Sequence, residues 1–279
     1  MKPIAIVLSI IFAFLFFGLT KSKNTKNQPK NIGSNNAQAA FDQHSIEIQK
    51  LERQLSIQRA ALASVVRDHT EGQRLLAMFD EQSHPLLFQG NRGYNLSKRP
   101  QTEYSFSVTV LPDDQLRYLL GEFGRVFAAG YMAQIRTLFL NAQPMSDCWR
   151  GFLLAHEMTH VWHHVVDQYP PQPFNSDAYI LEEIRAFEFE FGVIDRWTKG
   201  QFLKTIDQAA KETNDSLILT DAILQKIDSL FPRAVNQDES GLRHDVYQLA
   251  VILRNSKQQP IQNIRQEKIR RYRAFFAKL

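Results

Sequence analysis

Phe152-Leu153-Leu154-Ala155-His156-Glu157-Met158-Thr159-His160-Val161-Trp162 contains the pattern H-E-x-x-H. On an α-helix, residues i and i+4 lie on one face. His156 and His160 can therefore offer two imidazole nitrogens to one metal ion. Tetrahedral Zn²⁺ with Zn–N near 2 Å asks for nitrogens only ~3.3 Å apart. Glu157 projects beside that position, where it can take a proton from a water on the metal. Chance produces the pattern in roughly one shuffled sequence of this composition per hundred, so the surroundings must decide. Leu154, Met158, Val161 and Val165 fall at i, i+4, i+7 and i+11, an apolar stripe that buries the helix. Polar side chains inside a buried helix need partners. The stretch thus predicts a zinc site, with His156 and His160 as ligands and Glu157 as the base.

A catalytic zinc usually has three protein ligands and one open position. His164 continues the i, i+4 series but lies about 12 Å along the axis from His156, too far to share its metal. The longer H-E-x-x-H-x-x-G-x-x-H pattern is absent, since His163 and Val166 stand at its Gly and last His positions. The next helical stretch, about residues 178–199, holds Glu182, Glu183, Glu188 and Glu190. Its apolar stripe is Ile180, Ile184, Phe187, Phe191 and Ile194. At ~100° per residue Glu183 borders that stripe and Glu182 points nearly opposite. Glu183 is the expected third ligand, with Glu182 and Glu188 as alternatives. Glu190 either supports the site or faces water.

Outward from this centre, the sequence predicts an α+β, predominantly helical fold. Ile4 to Leu19 is an almost unbroken apolar run, read as a signal or membrane anchor (residues 1–20). Residues 21–40, rich in Lys, Asn, Gln and Ser, read as a flexible basic linker. Residues 41–82 read as a helical segment. Ile48, Leu51, Leu55, Leu62 and Val65 form a seam there that serves either a packed helix or coiled-coil self-association through residues 41–79. Residues 83–279 are the expected catalytic domain. Within it, 84–101 reads as a loop, 104–110 as a half-buried strand and 135–141 as a second strand. Helices follow near 112–123, 146–168, 202–214, 219–230, 242–254 and 262–279. The basic face of the last is solvated by default, with anionic lipid as the alternative. Net charge is +4, with basic residues near both ends, so no nucleic-acid partner is expected. Cys148 is the single cysteine, which excludes an intramolecular disulfide.

His156, Glu157 and His160, followed by Glu183 and Ala186 as E-x-x-A on another helix, resemble the gluzincin branch of the zincin-like metallopeptidases. The wording His-Glu-Met-Thr-His-Val-Trp is similar to small bacterial zincin-like domains of secretion-associated and Rhs-type proteins. The resemblance spans roughly residues 104–200. It implies peptide hydrolysis and a strand before the motif helix, here 135–141, that pairs with extended substrate. The E-x-x-x-D continuation is absent. Tyr179, His163, His244 and Tyr247 are the candidate oxyanion donors. The expected protein is a zinc metallopeptidase acting on peptide or protein substrates. It is membrane-anchored or exported, on the extracytoplasmic side of a bacterium. A non-catalytic, membrane-tethered zinc-binding interaction domain and a cell-wall amidase are the other readings.

Overall fold

The computed structural model describes residues 34–87, 104–112, 129–173, 176–213 and 219–255, together with residue 263. The fold is α+β and mostly helical, as expected. In chain order the elements are α1 (Ser34–Val66), α2 (Thr70–Gln82), β1 (Ser83–Pro85), β2 (Phe106–Leu111) and β3 (Ala129–Met132). A 3-10 turn (Ala133–Ile135) leads into β4 (Thr137–Asn141). Then come α3 (Asp147–Val165), α4 (Asp177–Trp197), α5 (Gln201–Thr213), α6 (Asp221–Asp228) and α7 (Gln237–Asn255). The expected anchor, the helix near 112–123 and the basic C-terminal helix lie outside the described residues, apart from Asn263. Among the described residues no helix is long and apolar enough to cross a membrane.

The sheet has the order β1-β2-β4-β3. β1 and β4 flank β2 in parallel, and β3 runs antiparallel to β4. This corrects the strand expected to receive substrate. β4 has both edges paired, so its backbone groups are already used. Among the described residues, the edge that remains on that side belongs to β3. The strand at 104–110 is also more deeply placed than expected. Ser107 and Thr109 are only 4% and 1% exposed, because β2 is covered on both faces, as parallel strands usually are.

The helix expected over residues 41–79 is two helices. His69 is the N-cap of α2, its Nδ1 accepting from the Gly72 N–H at 3.2 Å. The Gln73 amide donates to the Val66 and Arg67 carbonyls, both at 3.0 Å, which closes the end of α1. The chain turns there without a proline because side chains satisfy the orphaned helix-end groups. α1 starts at Ser34, so the last residues of the expected linker are helical.

The seam of α1 packs inside the domain. Leu51, Leu55, Leu62 and Val65 are buried and join one core with α3 and the C-terminal helices. Gly151 is what lets α1 approach α3. A Cβ there would collide with the Ala61 carbonyl oxygen and the Val65 side chain. The start of α3 is fixed from the other side by α7. Buried Glu239 accepts from the Ser146 N–H (3.0 Å) and hydroxyl (2.5 Å), the Val235 N–H (3.0 Å) and the Arg243 guanidinium. Arg243 in turn lies 5.3 Å over the Trp149 ring. Two supports thus hold the motif helix, one at its N-terminus and one along its flank.

Candidate metal centre

α3 and α4 pack side by side and run antiparallel at the centre. His156 meets Glu190, while His160 and His164 meet Glu182. Ser176 caps α4, its hydroxyl accepting from the Tyr179 N–H at 3.2 Å. The helix ends before Gly200, whose φ of +80° suits a glycine. Between its caps α4 is buried on two faces. Ile180, Ile184, Phe191 and Ile194 form the expected stripe; Glu182, Ala186, Glu190 and Val193 form a second. The second stripe includes the residues that meet α3, and Ala186 at its middle keeps the two helices close.

His156, His160 and Glu183 each bring a ligand atom to one place, all within 4.8 Å of one another. The two Nε2 atoms are 3.4 Å apart, and Glu183 Oε2 is 3.9 Å from His156 Nε2. The other ring nitrogens fix the tautomers. His156 Nδ1 faces Glu190 Oε2 at 3.1 Å, and His160 Nδ1 faces Glu182 Oε1 at 2.9 Å. With each Nδ1–H donating to a carboxylate, both Nε2 lone pairs point at one another. Two lone pairs and a carboxylate oxygen converging in a buried space fit a metal cation. The 3.4 Å separation matches two nitrogens on one tetrahedral zinc. Carboxylates behind metal-binding histidines set ring orientation and raise ligand basicity.

Glu182 does not point away, as one stripe alone suggested. It is 7% exposed and already occupied. Its Oε1 also accepts from His164 Nε2 at 2.7 Å. His164 Nδ1 lies 2.8 Å from the Tyr169 carbonyl, which can only accept. Both His164 nitrogens therefore donate, and the ring is an imidazolium paired with Glu182. Burial works against that charge, but the bonds to Glu182 and Tyr169 outweigh it and raise the His164 pKa. Burial likewise opposes ionisation of Glu182, yet the two histidines hold its carboxyl down at about 2. Glu188 is exposed. Of the three alternatives, Glu183 is the one that reaches the centre. His164, too far along the helix to share the metal, stands behind the centre on Glu182.

Glu190 is completely buried, with Oε2 on His156 and Oε1 without a hydrogen-bond partner among the described residues. Burial pushes its carboxyl up, and the Glu157 charge adds to this. Burial also works against a charged His156, but the Glu190 bond and the surrounding carboxylates raise its pKa. Glu157 is half-buried, close enough for its charge to act on both His156 and Glu190. Among the described residues it has no hydrogen-bond partner.

The expected oxyanion donors are mostly committed elsewhere. Tyr247 donates to Asp228 at 2.8 Å, and His244 meets the same carboxylate at 3.0 Å. His163 pairs with Asp167. Tyr179 stands in the first turn of α4 beside its cap. Sequence reasoning missed Tyr131, on the edge strand β3, whose ring stacks on His164 with centroids 5.8 Å apart. Among the described residues its buried hydroxyl has no partner, and burial pushes its pKa far up, so it stays a phenol. Its only sequence signal was an aromatic in a short run beside Gly130.

No family model, no curated protein and no solved structure matches this chain.

Proposed function

We propose that the protein is a zinc-dependent metallopeptidase of the zincin type, with His156, His160 and Glu183 as the metal ligands. The observation that carries this is Glu157. A structural zinc site needs no carboxylate beside it, yet Glu157 adjoins the ligands, half-buried and uncommitted. Bound zinc would polarise the scissile carbonyl and acidify a water. The chain's own residues supply the rest. Glu157 accepts the proton of the attacking water and returns it to the leaving amine. Glu190 and Glu182 keep the Nδ1 protons of His156 and His160 in place, so both Nε2 lone pairs would be available to hold a metal. The edge of β3 offers backbone groups for an extended peptide, which would lie over α3. The apolar run at residues 4–19 supports membrane attachment or export.

Glu157→Gln tests the reading. The change keeps size and hydrogen bonding and removes the proton acceptor. Zinc content, measured by metal analysis, should stay near one per chain, and peptide hydrolysis should fall at least ~100-fold. Full hydrolysis by the zinc-loaded variant would refute the mechanism. Equal inactivity of both proteins on every peptide would favour a structural site.

A further inference from the structure

The two histidines of the centre are backed by carboxylates in different electrostatic settings. Behind His156, Glu190 Oε2 meets the ring Nδ1 at 3.1 Å, and its Oε1 has no hydrogen-bond partner among the described residues. Behind His160, a single oxygen is shared. Glu182 Oε1 accepts from His160 Nδ1 at 2.9 Å and from His164 Nε2 at 2.7 Å. The shorter bond goes to the histidine that is not a ligand.

Every neighbour of His164 favours a positive charge. Its Nδ1 lies 2.8 Å from the Tyr169 carbonyl, which only accepts, so Nδ1 carries a proton. Its Nε2 meets an oxygen that already accepts from His160, so Nε2 donates as well. The residue stands in the last turn of α3, where the helix dipole stabilises a cation. The Tyr131 ring stacks on it with centroids 5.8 Å apart, and an aromatic face attracts a cation. His164 is only 8% exposed, so solvent ions screen little of its charge. A carboxylate behind a metal-binding histidine raises the basicity of that ring. Among the described residues Glu190 serves His156 alone, whereas Glu182 divides its charge between His160 and a cation.

We infer that His164 is a positioning residue that acts through Glu182 to restrain electron donation by His160, and so holds zinc affinity below what the ligands alone would give. The inference rests on the metal centre proposed above. Less donation from the ligands leaves a stronger Lewis acid for water and the scissile carbonyl. The sign of the effect separates this role from simple bracing. A residue that only braced Glu182 would weaken zinc binding when lost. Loss of the His164 charge strengthens it.

The test uses the full chain, with zinc as the probe. His164→Gln keeps an N–H that can reach Glu182 and removes the charge. In a chelator competition at neutral pH it should bind zinc about tenfold more tightly than wild type, the lower end of what such outer partners contribute. In proton NMR of the zinc-loaded proteins, the His160 Nδ1–H signal should move downfield in the variant while the His156 signal stays. Wild type offers a second measurement that needs no variant. Ring-nitrogen chemical shifts at neutral pH should show both His164 nitrogens protonated, and one each on His156 and His160. Equal or weaker zinc binding by a His164→Gln protein with wild-type circular dichroism would overturn the inference, as would a neutral His164 in wild type. In either case the metal centre stands if wild type binds zinc and His160→Ala does not. If the variant does not fold, the wild-type ring shifts decide. A wild type that binds no zinc would overturn both readings.

Discussion

Replacing Glu182 by Ala removes one oxygen on which two buried rings depend. His160 Nδ1 and His164 Nε2 both donate to Glu182 Oε1, at 2.9 and 2.7 Å. Holding that carboxyl at about 2 against an ordinary 4.5 corresponds to about 3 kcal/mol in favour of the ionised form. Removing one partner of a buried ion pair costs about 3–5 kcal/mol by general experience. The metal-free Glu182→Ala protein should therefore lose about 3 kcal/mol in urea unfolding near pH 6, with an unchanged slope. Most of that loss reflects the stranded His164 imidazolium. In a His164→Ala background the same change should cost only about 1 kcal/mol, a coupling well above additivity. The pH window follows from the two shifts. The lowered Glu182 pKa contributes stability above 4.5 that is lost as pH falls towards 2. The raised His164 pKa contributes stability below 6.5 that is lost as pH rises through its folded value. The penalty should thus peak between pH 4.5 and 6.5. A loss under ~1 kcal/mol there, or the same loss in both backgrounds, would refute the ion-pair argument.

His156→Ala, His160→Ala and Glu183→Ala should each abolish tight zinc binding in a chelator competition, while Glu188→Ala should bind like wild type. Glu190→Gln should keep zinc but weaken it by about 10–100-fold, since His156 loses its anionic support. Glu239, held below the ordinary carboxylate range by Ser146, Val235 and Arg243 against its burial, contributes stability above pH 4.5 that is lost on acidification. Glu239→Gln should therefore be less stable at neutral pH and show a shallower acid dependence of its unfolding midpoint.

His156, Glu157 and His160 were legible because five consecutive residues on one helix fix their geometry without help from the fold. Glu183 was legible from helical phase. Glu182 was not, because phase analysis assumes one buried face and α4 has two. Glu190 carried a signal in its heptad spacing from Glu183, but only the packing of α4 on α3 says that the shared face meets His156. The sheet shows the same division. β2 and β4 are β-branched and aromatic enough to read. β1 and β3 have three and four residues, and a proline and a glycine among them. They are strands because neighbours offer hydrogen bonds, which no local propensity records. The break between α1 and α2 was hidden for a related reason, since its cap is a histidine and not a proline or glycine.

The three carboxylates of α4 also constrain how the chain can change. Glu182, Glu183 and Glu190 serve histidines spaced in fours along a neighbouring helix, so the two helices fit like threaded parts at a single rotational setting. One residue inserted between positions 183 and 190 would turn everything beyond it by ~100°. Glu183 would keep its place beside His156, and Glu190 would swing off the His156 ring. The length of this segment is therefore as much a part of the centre as its side chains. Sequences that keep the centre can vary the surface of α4 freely but cannot lengthen or shorten it between these positions.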